Sequence, residues 1–185
     1  MKTEYNLKQI IDNEKGWLFY DTALKVWKEL YSHIKGNSVL DLGCASGISM
    51  GLIKLFSLDM KIIGLEGQDS GKDAWKARNL NVVVGDIYSL PFQDNEFDTV
   101  YSSHVFEHLE NPEKALMESI RVAKKRVIHI VPDGNIDEKN FGSPHLHNFN
   151  RITFKKLFKD KGLNEILYKS ITDTHINSLI GAYEV

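Results

Sequence analysis

Cysteine is nearly absent: Cys44 stands alone among 185 residues, which excludes an internal disulfide. Long apolar runs are missing, and the amino terminus has no charged-then-apolar segment. Neither a membrane span nor a signal peptide is therefore expected, and the cytoplasm is the default location. Neither sign of charge is in excess. Lys plus Arg number 23 against 25 Asp plus Glu, a net charge of -2, which supplies no electrostatic footprint for nucleic acid or an anionic membrane. Repeats, linkers and low-complexity tracts are missing too, and no heptad or distinct apolar patch speaks to oligomeric state. What is present is 42% hydrophobic composition, enough to bury one sizeable core, so a single domain over residues 1–185 is expected.

The most informative stretch is Val39 to Ser49, Val-Leu-Asp-Leu-Gly-Cys-Ala-Ser-Gly-Ile-Ser. An apolar run enters a turn of small residues, and Ile48, Leu52, Leu55 and Phe56 then recur at helical spacing, so the stretch reads strand, tight turn, helix. Gly43 and Gly47 permit positive φ and carry no Cβ, which lets a ligand lie against backbone where the N–H groups of a new helix point outward. Here another absence decides. The dinucleotide fingerprint asks for glycine at its first, third and sixth positions, which counted from Gly43 are Gly43, Ala45 and Ile48. A branched side chain at the sixth position argues against NAD or FAD. Asp41-x-Gly43-x-Ala45-x-Gly47 instead resembles the first motif of the class I S-adenosylmethionine-dependent methyltransferases, with Ala45 where glycine is common. The resemblance implies S-adenosylmethionine as cofactor, its amino-acid end against Asp41, Gly43, Cys44, Ala45 and Gly47. Cys44 reads as a small turn-compatible residue rather than a reactive thiol.

Lys61 to Leu65 is a short apolar run ending in Glu66, roughly twenty residues beyond the glycine turn, where a second parallel strand should end. A carboxylate there can accept from two adjacent ribose hydroxyls at once, so Glu66, with Gly67 beside it, is expected to bind the ribose. Ser70 to Arg78 reads as a short helix and Val82–Val84 as a third strand running into Gly85-Asp86-Ile87. In the resembling family an acidic residue here accepts from the adenine amine and the next backbone N–H meets a ring nitrogen, which implies these roles for Asp86 and Ile87. A fourth strand begins at Phe97, and Ser103 lies at its carboxyl end, where ligands of open α/β sheets sit.

His104-Val-Phe-Glu-His108 also matches an inverted zinc-protease pattern. That chemistry needs the pattern inside a long helix with a further ligand downstream, whereas here it straddles a strand end and a turn. His104 is instead a candidate base or substrate contact. Asn111-Pro112-Glu113 reads as the start of a helix burying Leu116, Ile120 and Ala123, with Arg121, Lys124, Lys125 and Arg126 at its basic end. Val127–Val131 reads as a fifth strand with His129 structural, and Thr153 starts a helix that Gly162 stops. Residues 133–150 form a long polar loop on the acceptor side in the resembling family. His145 is a second catalytic candidate, and no acidic partner in sequence makes a metal pair of His145 and His147, so no metal is expected. Residues 1–36 read as a helical cap, with a stripe through Leu24, Trp27, Tyr31 and Ile34. Its aromatic cluster at Trp17, Phe19 and Tyr20 either packs on the sheet edge or covers the ligand.

The resemblance implies a single Rossmann-like, doubly wound α/β sheet of order 3-2-1-4-5-7-6 with one antiparallel strand, and methyl transfer to a small-molecule acceptor. A non-catalytic cofactor-binding or scaffold protein of the same fold is the alternative, ahead of a zinc-dependent hydrolase.

Overall fold

The computed structural model describes residues 21–134, 145–171 and 177–185. The cluster at Trp17–Tyr20 and much of the 133–150 loop fall outside them. In chain order the elements are α1 (Asp21–His33), β1 (Ser38–Leu42), α2 (Ile48–Phe56), β2 (Lys61–Glu66), α3 (Lys72–Ala77), β3 (Asn81–Val84), β4 (Phe97–Ser103), α4 (Pro112–Val122), β5 (Ala123–Pro132), α5 (Arg151–Phe158), β6 (Asn164–Ile171) and β7 (Ser178–Glu184). Single 3-10 turns occupy Asp69–Gly71 and Phe106–His108.

All seven strands join one sheet in the order β3-β2-β1-β4-β5-β7-β6, as the resemblance implied. β1 to β5 pair in parallel, while β7 runs antiparallel to both β5 and β6. Alternation along each strand splits the apolar residues between two cores. Leu40, Leu42, Val100 and Val127 face Leu116 of α4 and Phe154 and Phe158 of α5. Val39, Tyr101, Ile128 and Ile180 face Val26 and Leu30 of α1 and Met50 and Ile53 of α2. Helices thus cover both faces, and the carboxyl ends of the parallel strands share one edge.

The α4 start follows the residues read from sequence, whereas α5 starts at Arg151, two residues ahead of Thr153. The Asn111 side chain accepts from the Lys114 N–H with Pro112 in the first turn, and Asn150 forms a reciprocal capping box with Thr153. The basic run after α4 lies elsewhere than expected. α4 ends at Val122 and passes directly into β5, so Ala123, Lys124, Lys125 and Arg126 are strand residues. Tertiary partners decide this. Lys125 Nζ reaches Asp98 at 2.7 Å, and Arg126 donates to the His33 carbonyl at 3.0 Å and pairs with Glu184 at 2.9 Å, tying α1, β5 and β7 together. Leu55, placed on the buried stripe of α2 by its spacing, is 41% exposed, because Met50, Leu52 and Ile53 form the inward face. α5 stops at Phe158, ahead of Gly162, which adopts φ 73° in the following turn.

Candidate active site

Strand registers align the predicted residues. Leu42 pairs with Leu65 and Ser102, and Glu66 pairs with Val84, so the ends of β1, β2, β3 and β4 lie side by side. Gly85, Glu66, Gly43 and Ser103 therefore follow one another along a single edge of the sheet.

The β1–α2 turn is held by backbone bonds that need its small residues. Gly43 and Gly47 adopt φ values of 70° and 80°. The Gly43 and Cys44 N–H groups donate to the Leu65 carbonyl at 2.8 and 3.1 Å, and Gly47 donates to Cys44 at 2.7 Å. A Cβ on Gly43 would lie 2.6 Å from Val105 Cγ2, so the segment after β4 packs directly on this turn. Ala45 also takes positive φ, 46°, as does His104 at 57°. Non-glycine residues held in this region store about 1–2 kcal/mol each and gather at working sites.

Asp41 is 2% exposed and receives two hydroxyl donors on one oxygen, Ser49 at 2.5 Å and Tyr101 at 2.6 Å. Tyr101 is its register partner on β4. Burial pushes its carboxyl up from 3.8 to about 6, with the two donors working against that shift and the Glu66 charge adding to it. Glu66 closes the other side of the turn. Its Oε2 accepts the Ala45 N–H and its Oε1 the Gly67 N–H, each at 2.8 Å, and each oxygen keeps a further lone pair. Gly67 is exposed, with open space where a Cβ would stand. Asp86 is exposed at the β3 end, with Oδ1 accepting the Tyr88 N–H at 2.8 Å, and Ile87 packs beside the core.

Cys44 has a different place from the glycines around it. Its side chain is buried under the turn against Gly64 and Met50, and burial drives its thiol pKa upward, so it stays protonated. Ser103 is half-buried at the end of β4. His104 follows it, with its side chain 15% exposed. His145 lies against His108, ring centroids 4.9 Å apart, and both belong to a cluster about Glu107. His147 is held by the Leu109 carbonyl at 2.8 Å. His129 is fully buried, shares a hydrogen bond with Ser102 at 2.8 Å, and burial lowers its pKa to about 3, a structural neutral imidazole.

The 104–108 segment does not lie within a long helix. It turns out of β4 into the single 3-10 turn Phe106–His108, which removes the scaffold on which the protease pattern depends. Sequence reasoning missed the residues that hold the site together. Tyr101 and Ser49 hold Asp41, while Trp75 Nε1 and Arg78 Nη1 donate to the Ala45 and Ser46 carbonyls at 2.6 and 3.1 Å. Only Ser49 lay within the quoted motif.

Residues 40–131 match the family model described as a methyltransferase domain. The chain belongs to the class I S-adenosylmethionine-dependent methyltransferases. Among curated methyltransferases, an uncharacterized one from Schizosaccharomyces pombe is 36% identical over 104 residues, covering 49% of this chain and 37% of the relative. A demethylmenaquinone methyltransferase from Corynebacterium efficiens is 30% identical over 117 residues, covering 63% of this chain and 47% of the relative. The chain thus spans less than half of either relative. An S-adenosylmethionine-dependent methyltransferase from Aquifex aeolicus shares the fold at a TM-score of 0.72 and 20% identity, over 97% of this chain and 99% of that one.

Proposed function

We propose that this chain transfers the methyl group of S-adenosylmethionine to a small-molecule acceptor. The observation that carries the reading is the Glu66 carboxylate, poised at the end of β2 and fixed by the N–H groups of Ala45 and Gly67 beside the glycine turn. The donor set fits the cofactor. Glu66 retains acceptor capacity for the ribose hydroxyls, and Gly67 leaves open space beside it. Asp86 presents an exposed carboxylate for the adenine amine, next to the Ile87 N–H for a ring nitrogen. Asp41 lends negative charge to the glycine turn, where the cationic amino-acid end belongs, and Gly43, Cys44, Ala45 and Gly47, whose N–H groups are engaged within the turn, meet that end by close backbone approach. Ser103 completes the edge from β4.

When bound, the cofactor supplies an electrophilic methyl group on a sulfonium centre. The protein's part is chiefly alignment of an acceptor O, N, S or carbon in line with that methyl. A base is needed only where the acceptor must lose a proton, and His104, next to Ser103 at the end of β4, borders this edge for that role. The near-neutral charge and the demethylmenaquinone-named relative support a small acceptor over a nucleic acid. No helix among the described residues is long and apolar enough to cross a membrane.

Calorimetric titration with S-adenosylmethionine, S-adenosylhomocysteine and NAD tests the cofactor. Both adenosyl ligands should bind and NAD should not. Glu66→Ala should weaken binding by about tenfold or more, the roughly 1.5–3 kcal/mol of hydrogen bonds to a charged group. Absence of heat and of thermal stabilisation with both adenosyl ligands would refute the reading. Mass-spectrometric detection of methylated product then separates an enzyme from a protein that only holds the cofactor.

A further inference from the structure

One buried carboxylate at the carboxyl end of β4 has no use in the site so far. Glu107 is 1% exposed, and neither of its side-chain oxygens accepts a hydrogen bond. An ionised carboxylate left this way is costly unless positive charge gathers around it. Imidazoles surround it. His104 Nδ1 lies 3.5 Å and His108 Nε2 3.8 Å from Oε1. The third comes from far along the chain. The Glu107 carbonyl accepts the N–H groups of Leu146 and His147 at 2.8 and 3.0 Å, which seats the 145–147 segment on the 3-10 turn and brings His145 against His108. One donor atom each from Glu107, His108 and His145 then lie within 4.8 Å of one another.

We propose that Glu107, His108 and His145 bind a divalent transition-metal ion of the zinc type. Two imidazoles and one carboxylate form a borderline donor set suited to zinc or cobalt, whereas magnesium and calcium favour oxygen donors. Tetrahedral bonds of about 2.0–2.2 Å place donors about 3.4 Å apart. The cluster therefore closes on the ion by a movement of roughly 1 Å, within reach of side-chain rotation. The ion supplies the charge that Glu107 lacks. His104, whose Nε2 faces Ser178 Oγ at 3.5 Å, turns its other nitrogen toward the same carboxylate from 3.5 Å, the place of an outer partner behind a ligating carboxylate. His147 stays outside the set because the Leu109 carbonyl engages it.

Val105, between His104 and this cluster, packs on Gly43, so the ion lies on the same sheet edge as the glycine turn. Three protein ligands leave a position open. On the methyl-transfer reading, on which this one consequence rests, that position takes an oxygen of the acceptor.

The test is metal uptake by the intact chain. Protein stripped with EDTA is titrated with Zn²⁺ by calorimetry and with Co²⁺ by visible absorption, without cofactor. One ion per chain should bind, with Co²⁺ d–d bands of a low-symmetry site. His108→Ala and His145→Ala should each weaken binding at least about tenfold, while His33→Ala, at the far end of α1, should not. His145→Gln serves where His108→Ala fails to fold, with circular dichroism as the check. Absence of uptake by folded wild-type protein, or equal affinity in the His145 variants, overturns the metal site and leaves Glu107 as a structural carboxylate among imidazoles. Because uptake is read without the cofactor, its failure leaves the methyl-transfer reading standing. Loss of adenosyl-ligand binding with metal uptake intact would strike the methyl-transfer reading alone.

Discussion

Asp41→Asn isolates the cost of a buried charge. The wild-type carboxyl titrates near 6 in the fold against 3.8 in the open chain, raised first by burial. Its folded pKa is the higher of the two, so Asp41 stabilises the fold fully below about pH 4. That contribution is lost as pH rises through about 6. At about 1.4 kcal/mol per pH unit the whole titration amounts to about 3 kcal/mol. Of this, about 1.4 kcal/mol falls between about pH 5 and pH 8. An asparagine keeps an oxygen for Ser49 and Tyr101 but has no charge to desolvate, so its own cost is the same at every pH. Urea denaturation of both proteins across this range should therefore show the variant gaining about 1.4 kcal/mol on wild type as pH rises, roughly 3–6 °C in Tm for a chain of this size. His129, whose pKa burial lowers to about 3, destabilises both proteins alike as pH falls below its ordinary value, so its contribution cancels in the difference. A stability difference constant with pH, or one that favours wild type at the alkaline end, would refute the assignment of a desolvated carboxyl.

Gly43→Ala should cost roughly 2–4 kcal/mol, the left-handed backbone plus the overlap with Val105, and refolding in a Val105→Ala background should recover about 1 kcal/mol, which a double-mutant cycle measures. Additive losses would mean that the contact is not the source of strain. Asn150→Ala should cost about 1 kcal/mol by chemical denaturation through loss of the capping box, with Asn150→Ser close to wild type.

The backbone frame of the proposed cofactor site was legible in sequence because its features are local. A short apolar run meeting Asp41, Gly43 and Gly47 and then a helical period places a strand end, a positive-φ turn and a helix start within eleven residues. Glu66 followed from its place at the end of the next strand, and Asp86 from the family resemblance at the end of the third. The reading failed where a contact spans the chain. Lys124–Arg126 look like a helix terminus in sequence, yet Asp98, His33 and Glu184 recruit them to a strand. Tyr101 stands 60 positions from Asp41, and no local period reveals that parallel register makes them neighbours.

His145 shows the same division. Beside His147 in sequence it has no acidic partner, and the absence of one argued against a metal. Only the fold seats its segment on the Glu107 carbonyl and sets two imidazoles beside a buried carboxylate. The sequence by itself determined the strand–turn–helix units and the family, since backbone sterics and apolar periodicity act over a few residues. The partners of Asp41 and Glu107 were decided by tertiary structure alone, because pairing strands from distant parts of the chain sets which polar groups share a water-poor interior and must satisfy one another there.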